Sequence, residues 1–269
     1  MTIEHLSSRA VIVVSGADAA ELLQRVITAN VETLSEGIVR DCALLTPQGK
    51  VLFQFLISRF EAGFLIDCQA DDRDGLMKRL TLYRLRSDVV LEPRDLHVLT
   101  SAEPFDGCLE DERARGMGHR AYVDTLPDGL TDEQSYHLRR ISAGVPEMGM
   151  DYDGQTVFAH EALLDLTHGI DFRKGCYVGQ EVVSRVEHRS TARKRFVCMV
   201  ADKALPERGV DVTLDGKSVG TLGSSAGHSG LALVRVDKLS GPYVEVEGGI
   251  ATLSVPAFAS FSLGAPDDG

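Results

Sequence analysis

Several patterns that would assign this chain of 269 residues to a familiar class are missing. No stretch approaches the roughly 18 consecutive apolar residues of a membrane span, and the first residues lack the basic start and apolar run of a signal peptide. Tryptophan is absent, as are the Walker loop, the dinucleotide-binding G-x-G-x-x-G, the nucleophile elbow G-x-S-x-G and the metal motif H-E-x-x-H. These absences predict a cytoplasmic protein with no membrane segment and exclude the commonest enzyme signatures.

Cysteine is scarce and widely spaced. The five cysteines are Cys42, Cys68, Cys108, Cys176 and Cys198. Their odd number and the lack of a C-x-x-C pair argue against a disulfide framework and against a zinc or four-cysteine cluster site of the chain's own. Cys42, Cys68 and Cys198 lie in apolar strand patterns, which predicts buried, inert thiols. We therefore expect a reducing compartment and no resident metal.

Charge is unevenly distributed along the chain. The formal net charge is −12, so nucleic-acid binding is not expected. Residues 173–195 nevertheless contain seven Lys or Arg and only two Glu. This basic strip predicts an anionic ligand or partner; the alternative is a solvated linker.

Strands and helices are mixed in the first 190 residues. Strands are predicted at 9–14, 42–45, 51–57, 64–68, 89–91 and 97–99. Helices are predicted after Ser15, over 71–85 and from 132 to 143, and the segment 103–128 is predicted to be mostly loop. Because short turns join most strand pairs, the pattern favours an α+β fold with antiparallel sheets over a doubly wound parallel sheet.

Helical patterns disappear after Arg195. Six short strands are predicted between 196 and 255, and Asp215-Gly216 is a strong two-residue hairpin signal. Regular short strands of this kind predict a small C-terminal β-barrel or sandwich. We place the boundary near Thr191, which gives domains 1–190 and 191–269.

The octapeptide at 174–181 is the stretch richest in chemistry. It reads Lys174-Gly175-Cys176-Tyr177-Val178-Gly179-Gln180-Glu181. The glycines permit close backbone approach, the phenol could stack on a flat ring, and the amide and carboxylate suit a heterocycle such as a pterin. The alternative is a tight turn entering a strand, with the carboxylate in an ion pair. For Cys176, nearby cations favour a reactive thiol, whereas a lone cysteine is often buried and inert.

These residues resemble a known family. The octapeptide and the Val182-Val183-Ser184-Arg185 that follows it resemble the signature of the YgfZ family, folate-binding proteins related to the glycine-cleavage T-protein, an aminomethyltransferase. Residues 44–51 are similar to the first hairpin of that family, and residues 255–258 to the end of its closing barrel. The resemblance implies a T-protein-like α+β domain, a C-terminal barrel and tetrahydrofolate in a central channel.

The resemblance also implies a function. It implies help in assembling or repairing the iron–sulfur clusters of client proteins, with effects on a tRNA-thiolating enzyme. Cys176 is then the residue tied to activity. The residues implied in cofactor binding are Lys174, Gly175, Tyr177, Gly179, Gln180, Glu181 and Arg185. We expect a monomer whose partners are the folate and the client proteins.

Two departures from the T-protein pattern bear on catalysis. The segment 50–55 has no acid where the T-protein carries a catalytic aspartate, and Ser142 replaces a glutamate that grips the pterin. Both count against the alternative function, a tetrahydrofolate-dependent aminomethyltransferase. A third hypothesis is a non-catalytic module that binds RNA or protein through the basic strip. Whether the chain is an enzyme stays open; if it is one, it is a tetrahydrofolate-dependent transferase.

Overall fold

The computed structural model describes residues 2–189 and 192–264. In chain order the strands are β1 (Glu4–His5), β2 (Arg9–Ser15), β3 (Ile38–Leu45), β4 (Val51–Phe60), β5 (Gly63–Gln69), β6 (Val90–Arg94), β7 (His97–Ser101), β8 (Leu109–Asp111), β9 (His119–Val123), β10 (Lys194–Ala201), β11 (Asp211–Leu214), β12 (Lys217–Ala226), β13 (Ser229–Arg235), β14 (Tyr243–Val246) and β15 (Gly249–Ser254). The helices are α1 (Ala19–Val26), α2 (Arg73–Arg84), α3 (Gln134–Ala143) and α4 (Gln180–Arg189). The strands form two units, a large sheet and a barrel.

Strands β1 to β9 form one sheet in the order β1-β7-β9-β8-β3-β4-β5-β2-β6. Alternating apolar residues cover both of its faces, because successive side chains of a strand point to opposite sides. Ile12 and Val14 of β2 pack in the same core as Leu22 and Leu76 of α1 and α2. Val11 packs in a separate core on the other side. Helices α1 and α2 therefore cover one face only.

The segment 103–128 is mostly loop, as the sequence predicted, but it also contains the short strands β8 and β9, which the sequence did not predict. Both strands are short and carry charged residues, so they lack the apolar alternation by which a strand is recognised. Strand β8 also pairs with β3 in parallel, through Ile38 and Glu110, which is an exception to the predicted antiparallel pairing. Asp111 of β8 and Arg120 of β9 are buried, whereas Glu110 is exposed.

Strands β10 to β15 close into a barrel in the order β10-β13-β12-β11-β14-β15, and β10 and β15 pair to complete it. The predicted hairpin at Asp215-Gly216 is present, with φ angles of 51° and 73° that suit a tight two-residue turn. Val197, Met199 and Leu222 belong to the core of the barrel. The predicted domain boundary falls on residues 190 and 191, outside the described residues, and stays a prediction.

Among the described residues, no helix has both the length and the apolar character needed to cross a membrane.

Candidate functional site

The octapeptide leads into a helix rather than a strand. Residues 175–179 are irregular, and α4 begins at Gln180. Gly179 makes the turn into the helix with φ of +83°, a conformation that L side chains rarely adopt. A Cβ atom at Gly179 would also lie 2.7 Å from the carbonyl oxygen of Thr46. Glycine is thus required at position 179 for two reasons, the positive φ angle and the close contact with Thr46.

The turn between β3 and β4 packs against the first turn of α4. Gly49 in that turn has φ of +80°, and a Cβ atom there would lie 2.8 Å from Cβ of Val182. The contact between Gly179 and Thr46 lies on the same interface. The two sequence motifs that carry the family resemblance therefore meet in space, and each supplies a glycine that lets the other approach.

Lys174 is an internal anchor of the octapeptide. Its side chain is buried, and Nζ donates hydrogen bonds to the carbonyl oxygens of Ile27 at 2.8 Å and Ala29 at 2.6 Å. These carbonyls follow the end of α1, where backbone acceptors lack helical partners. Burial lowers the pKa of Lys174 to about 8. Because its ammonium group is held by the protein, the predicted cofactor contact from Lys174 does not fit this geometry.

Tyr177 is the second internal anchor. It is buried in the core cluster that contains Leu45 and Val183, and Nζ of Lys174 lies 5.2 Å from the centre of its ring. Burial raises the pKa of its phenol. A ring packed in this way has no free face on which a ligand could stack.

Asp171 fixes the chain just before the octapeptide. Its Oδ2 accepts a hydrogen bond from Nδ2 of Asn30 at 2.9 Å, and its Oδ1 accepts one from the backbone N–H of Arg173 at 2.7 Å. Asn30 Oδ1 in turn accepts a hydrogen bond from Nε2 of Gln24 in α1 at 3.0 Å. The segment that carries the thiol is thus attached to α1 at two places.

Cys176 is exposed between the two buried anchors. A Cβ atom at the neighbouring Gly175 would meet no heavy atom within 4 Å, so the backbone at this point borders open space. The alternative of a buried, inert cysteine at 176 therefore does not hold. The loop presents a single thiol outward while its flanking residues are fixed inside.

The polar residues that follow the thiol lie on the surface of α4. Glu181 is 89% exposed in its side chain and pairs with Nη2 of Arg185, one helical turn later, at 3.0 Å. Gln180 is half-buried. The ion pair of Glu181 with an arginine matches the alternative interpretation of this residue, although it lies on a helix and not a strand.

The main cavities of the described part of the chain lie away from the octapeptide residues. Five cavities are lined by other parts of the described chain, and none of these five borders Cys176, Gln180 or Glu181. The assignment of Gly175, Gly179, Gln180, Glu181 and Arg185 to a cofactor stays a prediction that this geometry does not favour.

The interior near the β3–β4 hairpin is polar but closed. Its cavity, between Asp41, Gln54 and Arg113, has room for about 10 Å³, which is about one water molecule. Nε2 of Gln54 donates to Asp41 Oδ1 at 3.1 Å, and Oε1 accepts from the hydroxyl of Tyr152 at 2.7 Å and from the backbone N–H of Met148 at 2.9 Å. Gln54 lies in the segment where the T-protein carries its acid, and here its amide is fully engaged by the protein.

Sequence reasoning missed a buried ion network beside this cavity. Its members are Arg9, Asp67, Asp111, Arg113, Arg120, Tyr136 and Glu147. Nη1 of Arg120 donates to Asp67 Oδ2 at 2.8 Å, and Nη1 of Arg113 donates to Glu147 Oε1 at 2.6 Å. Although burial opposes ionisation, the surrounding guanidinium groups hold the pKa of Glu147 well below its ordinary value. The sequence offers only a weak signal: Asp111, Arg113 and Arg120 lie close together in the chain, and charges that become buried need partners of opposite sign.

A second buried cluster connects the barrel to the rest of the chain. Arg140 of α3 donates from Nη1 to Asp151 Oδ2 at 2.6 Å and from Nη2 to the hydroxyl of Ser224 in β12. The backbone N–H of Ser224 donates to Asp151 Oδ1 at 2.8 Å. Because the side chains of Arg140 and Asp151 are fully buried, this pair fixes the barrel against α3.

Comparisons with known proteins agree with this architecture. Residues 193–261 match the family model described as the CAF17 C-terminal beta-barrel domain. A solved structure, the glycine cleavage system aminomethyltransferase T from Bartonella henselae, covers 97% of this chain and 87% of its own, with a TM-score of 0.78 and 16% identity. These findings confirm the predicted T-protein-like α+β fold with a C-terminal barrel.

Several curated relatives carry the name iron–sulfur cluster assembly factor IBA57, mitochondrial, or its homologue. The relative from Pyricularia oryzae is 34% identical over 86% of this chain and 71% of its own length. The relative from Neurospora crassa is 33% identical over 95% of this chain and 62% of its own length. The relative from Homo sapiens is 29% identical over 88% of this chain and 78% of its own length. The chain spans about three fifths of the length of the Neurospora crassa and Chaetomium globosum relatives.

The predicted cytoplasmic location is wrong by these comparisons, because the names of the relatives point to the mitochondrion. That prediction came from the missing signal peptide and the unpaired cysteines. Neither observation separates one reducing compartment from another.

Proposed function

Because the chain belongs to the IBA57 family of iron–sulfur cluster assembly factors, we propose that it assists the assembly or repair of iron–sulfur clusters in client proteins through the thiol of Cys176. The observation that carries this proposal is the exposed cysteine on a loop that is anchored by the buried side chains of Lys174 and Tyr177. Thiolates are the usual protein ligands of iron–sulfur clusters. A surface thiol can reach a cluster held by another protein, whereas an internal one cannot.

The other four cysteines are less suited to this role. Cys42 and Cys68 are buried, and Cys108 and Cys198 are half-buried. Burial raises the pKa of Cys68 to about 12 and that of Cys198 to about 11, so both stay protonated near neutral pH. Since the thiolate is the form that binds metal, these thiols are poor ligands. Among the five, Cys176 combines access with the sequence motif of the family.

A single thiolate can supply one of the roughly four ligands that a cluster needs. We therefore propose that Cys176 acts as a transient ligand, with the remaining ligands coming from the client or from another carrier. In this step the Cys176 thiol releases its proton to solvent, and its sulfur replaces one ligand of a cluster iron atom, which stays with the protein that supplied it; no change of oxidation state is needed. The cluster is the cargo in this proposal and not a resident group.

Lys174 and Tyr177 act as positioning residues in this proposal. The contacts of Lys174 Nζ with two carbonyls near α1, and the packing of Tyr177 in the core, hold the backbone on either side of the thiol. The glycines at 49 and 179 set the distance between the hairpin turn and α4. The loop can therefore keep its thiol in one place without any bound partner.

Tetrahydrofolate has no step in the proposed mechanism, because the residues present do not fit it. The predicted stacking residue Tyr177 is packed in the core, Glu181 is paired on the surface, and the interior cavity beside Gln54 holds about 10 Å³. The same observations offer no support for aminomethyl transfer, since an amide occupies the segment where a general base is needed. The implied effect on tRNA thiolation stays a prediction.

Complementation of a deletion strain tests the proposal. The Cys176→Ser variant is expected not to restore the activities of iron–sulfur enzymes, whereas the Cys198→Ser variant restores them. Both proteins should be equally abundant and show the same thermal unfolding midpoint, which separates loss of function from loss of fold. Full rescue by Cys176→Ser would show that the thiol is dispensable and would overturn the proposal.

A further inference from the structure

A second group of ligand-type side chains lies where α4 approaches the segment 160–165. One ligand atom each from His160, Asp165 and Glu187 lies within 4.8 Å of the other two. Nε2 of His160 is 3.5 Å from Oε2 of Glu187. The side chains of His160 and Asp165 are 3% and 5% exposed, whereas that of Glu187 is 46% exposed. The cluster therefore has two internal members and one at the surface.

The histidine supplies an independent observation. Nε2 of His160 is buried and has no hydrogen-bond partner among the described residues. It is the same atom that faces the carboxylate of Glu187. A buried polar atom without a partner destabilises the fold, so such atoms in folded proteins call for a ligand or a function.

We propose that His160, Asp165 and Glu187 bind one divalent first-row transition metal ion, such as Zn²⁺. Imidazole nitrogens and carboxylate oxygens both coordinate these ions, and three protein ligands are the usual number at a site that keeps an open position. The exposed Glu187 gives the ion a route from solvent. The site does not involve Cys176 and is independent of the function proposed above.

A nearby cavity leaves space for a further ligand of the ion. A cavity of about 270 Å³ borders His160, and its lining includes Phe158, Glu161, Val186, Arg193 and Lys194. Three protein ligands leave at least one coordination position for water or a small anion. The basic residues of the cavity wall would favour an anion in that position.

Arg195 limits the affinity of the site. Its Nη1 lies 2.7 Å from each carboxylate oxygen of Asp165 and 2.8 Å from the carbonyl oxygen of His160. This cation competes with a metal for charge, but it also fixes the carboxylate, and second-shell donors commonly orient metal ligands in this way. Each oxygen of Asp165 keeps a further lone pair for the metal.

Titration with Co²⁺ tests the site, because its visible absorption reports coordination. The protein should carry Cys176→Ser, so that the exposed thiol does not bind the probe. We expect one Co²⁺ per chain without a sulfur-to-cobalt charge-transfer band, and competition by Zn²⁺. His160→Ala should weaken binding at least tenfold. His188→Ala, which alters an exposed histidine on the same helix, should change it less than twofold.

Glu187→Gln provides a second variant if His160→Ala fails to fold, because residue 187 is partly exposed and its amide keeps the size of the side chain. It should also weaken binding at least tenfold. The proposal is overturned if the Cys176→Ser protein shows no saturable Co²⁺ binding. It is equally overturned if His160→Ala or Glu187→Gln binds Co²⁺ as tightly as His188→Ala does.

Discussion

Replacing Arg140 by methionine should loosen the attachment of the barrel to the rest of the chain. Methionine keeps an unbranched stem but removes the guanidinium, which donates to Asp151 Oδ2 at 2.6 Å, to the carbonyl of Val145 at 3.3 Å and to the hydroxyl of Ser224. The side chains of Arg140 and Asp151 are both 0% exposed. The substitution therefore leaves a carboxylate in the interior without its counter-ion.

The expected loss of unfolding free energy depends on the hydrogen bonds that the Asp151 carboxylate still accepts. Removing one partner of a buried ion pair costs about 3–5 kcal/mol. Asp151 still accepts backbone hydrogen bonds from Glu147 and Ser224, both at 2.8 Å, so the lower part of that range applies. We expect the free energy of unfolding to fall by about 3 kcal/mol, which changes the unfolding equilibrium constant roughly hundredfold. Adding Asp151→Asn to Arg140→Met should recover about half of this loss, because the unpaired charge is removed.

Urea unfolding followed by far-ultraviolet circular dichroism measures the change. With a slope of about 3 kcal/mol per molar urea, the midpoint should fall by about 1 M. Arg235→Met is the matched control, since Arg235 forms a partly exposed pair with Asp237 and such pairs contribute about 0–1 kcal/mol. A loss below 1 kcal/mol for Arg140→Met would refute the reasoning, as would a double variant whose loss equals the sum of the two single losses.

Three further predictions concern the candidate site and its surroundings. Burial raises the pKa of Asp41 to about 6, so the stability that its protonated form contributes is complete below pH 4 and is lost as the pH rises through 6. The Asp41→Asn variant should therefore be more stable than the wild type by about 2 kcal/mol at pH 7.5 and equally stable at pH 4. The prediction is contradicted if the difference in unfolding free energy between variant and wild type is the same at both pH values. Gly49→Ala should destabilise the fold by about 2–3 kcal/mol and speed the labelling of Cys176 by a thiol reagent, because the new methyl group meets Val182. The control Gly37→Ala, at φ of +79° but in open space, should cost only about 1 kcal/mol and leave the labelling rate unchanged. Equal effects of the two substitutions would refute the role of the contact with Val182. Glu181→Ala should change the unfolding free energy by less than about 0.5 kcal/mol, and its calorimetric titration with tetrahydrofolate should give the same heats as the wild type. If only the wild type shows a saturable heat of binding, Glu181 is a folate ligand after all.

The elements that were predicted well from the sequence are those determined by residues that lie close together in the chain. The β3–β4 hairpin follows from alternating apolar residues on either side of a Pro-Gln-Gly turn. The end of α3 follows from Gly144, which has φ of 82° and accepts the left-handed conformation that terminates a helix. The six barrel strands follow from short apolar runs between turn residues. In each case the deciding contacts lie within a few residues of one another.

The features that the sequence did not predict depend on distant contacts. Strands β8 and β9 were missed because their charges are satisfied across the sheet, as in the bond between Arg120 and Asp67, 53 residues apart. Lys174 was assigned to a ligand, but it points inward because free carbonyls 145 and 147 residues away need a donor. The octapeptide contains the exposed thiol of Cys176, and its role as a functional site stays a prediction. Its polarity could not show which side chains face inward and which face solvent.

The two outer strands of the nine-stranded sheet bear on how the molecule behaves at high concentration. One outer strand, β1, is only two residues long, and the other, β6, contains Pro93 between the charged residues Glu92 and Arg94. A proline lacks the N–H needed to extend a ladder, and a two-residue strand gives an incoming chain little to pair with. The closed barrel has no outer strand at all. Open-ended strand-to-strand polymerisation is thus disfavoured at the borders of the two β units that the structure describes, so the protein should stay dispersed at concentrations at which an exposed edge strand would promote aggregation.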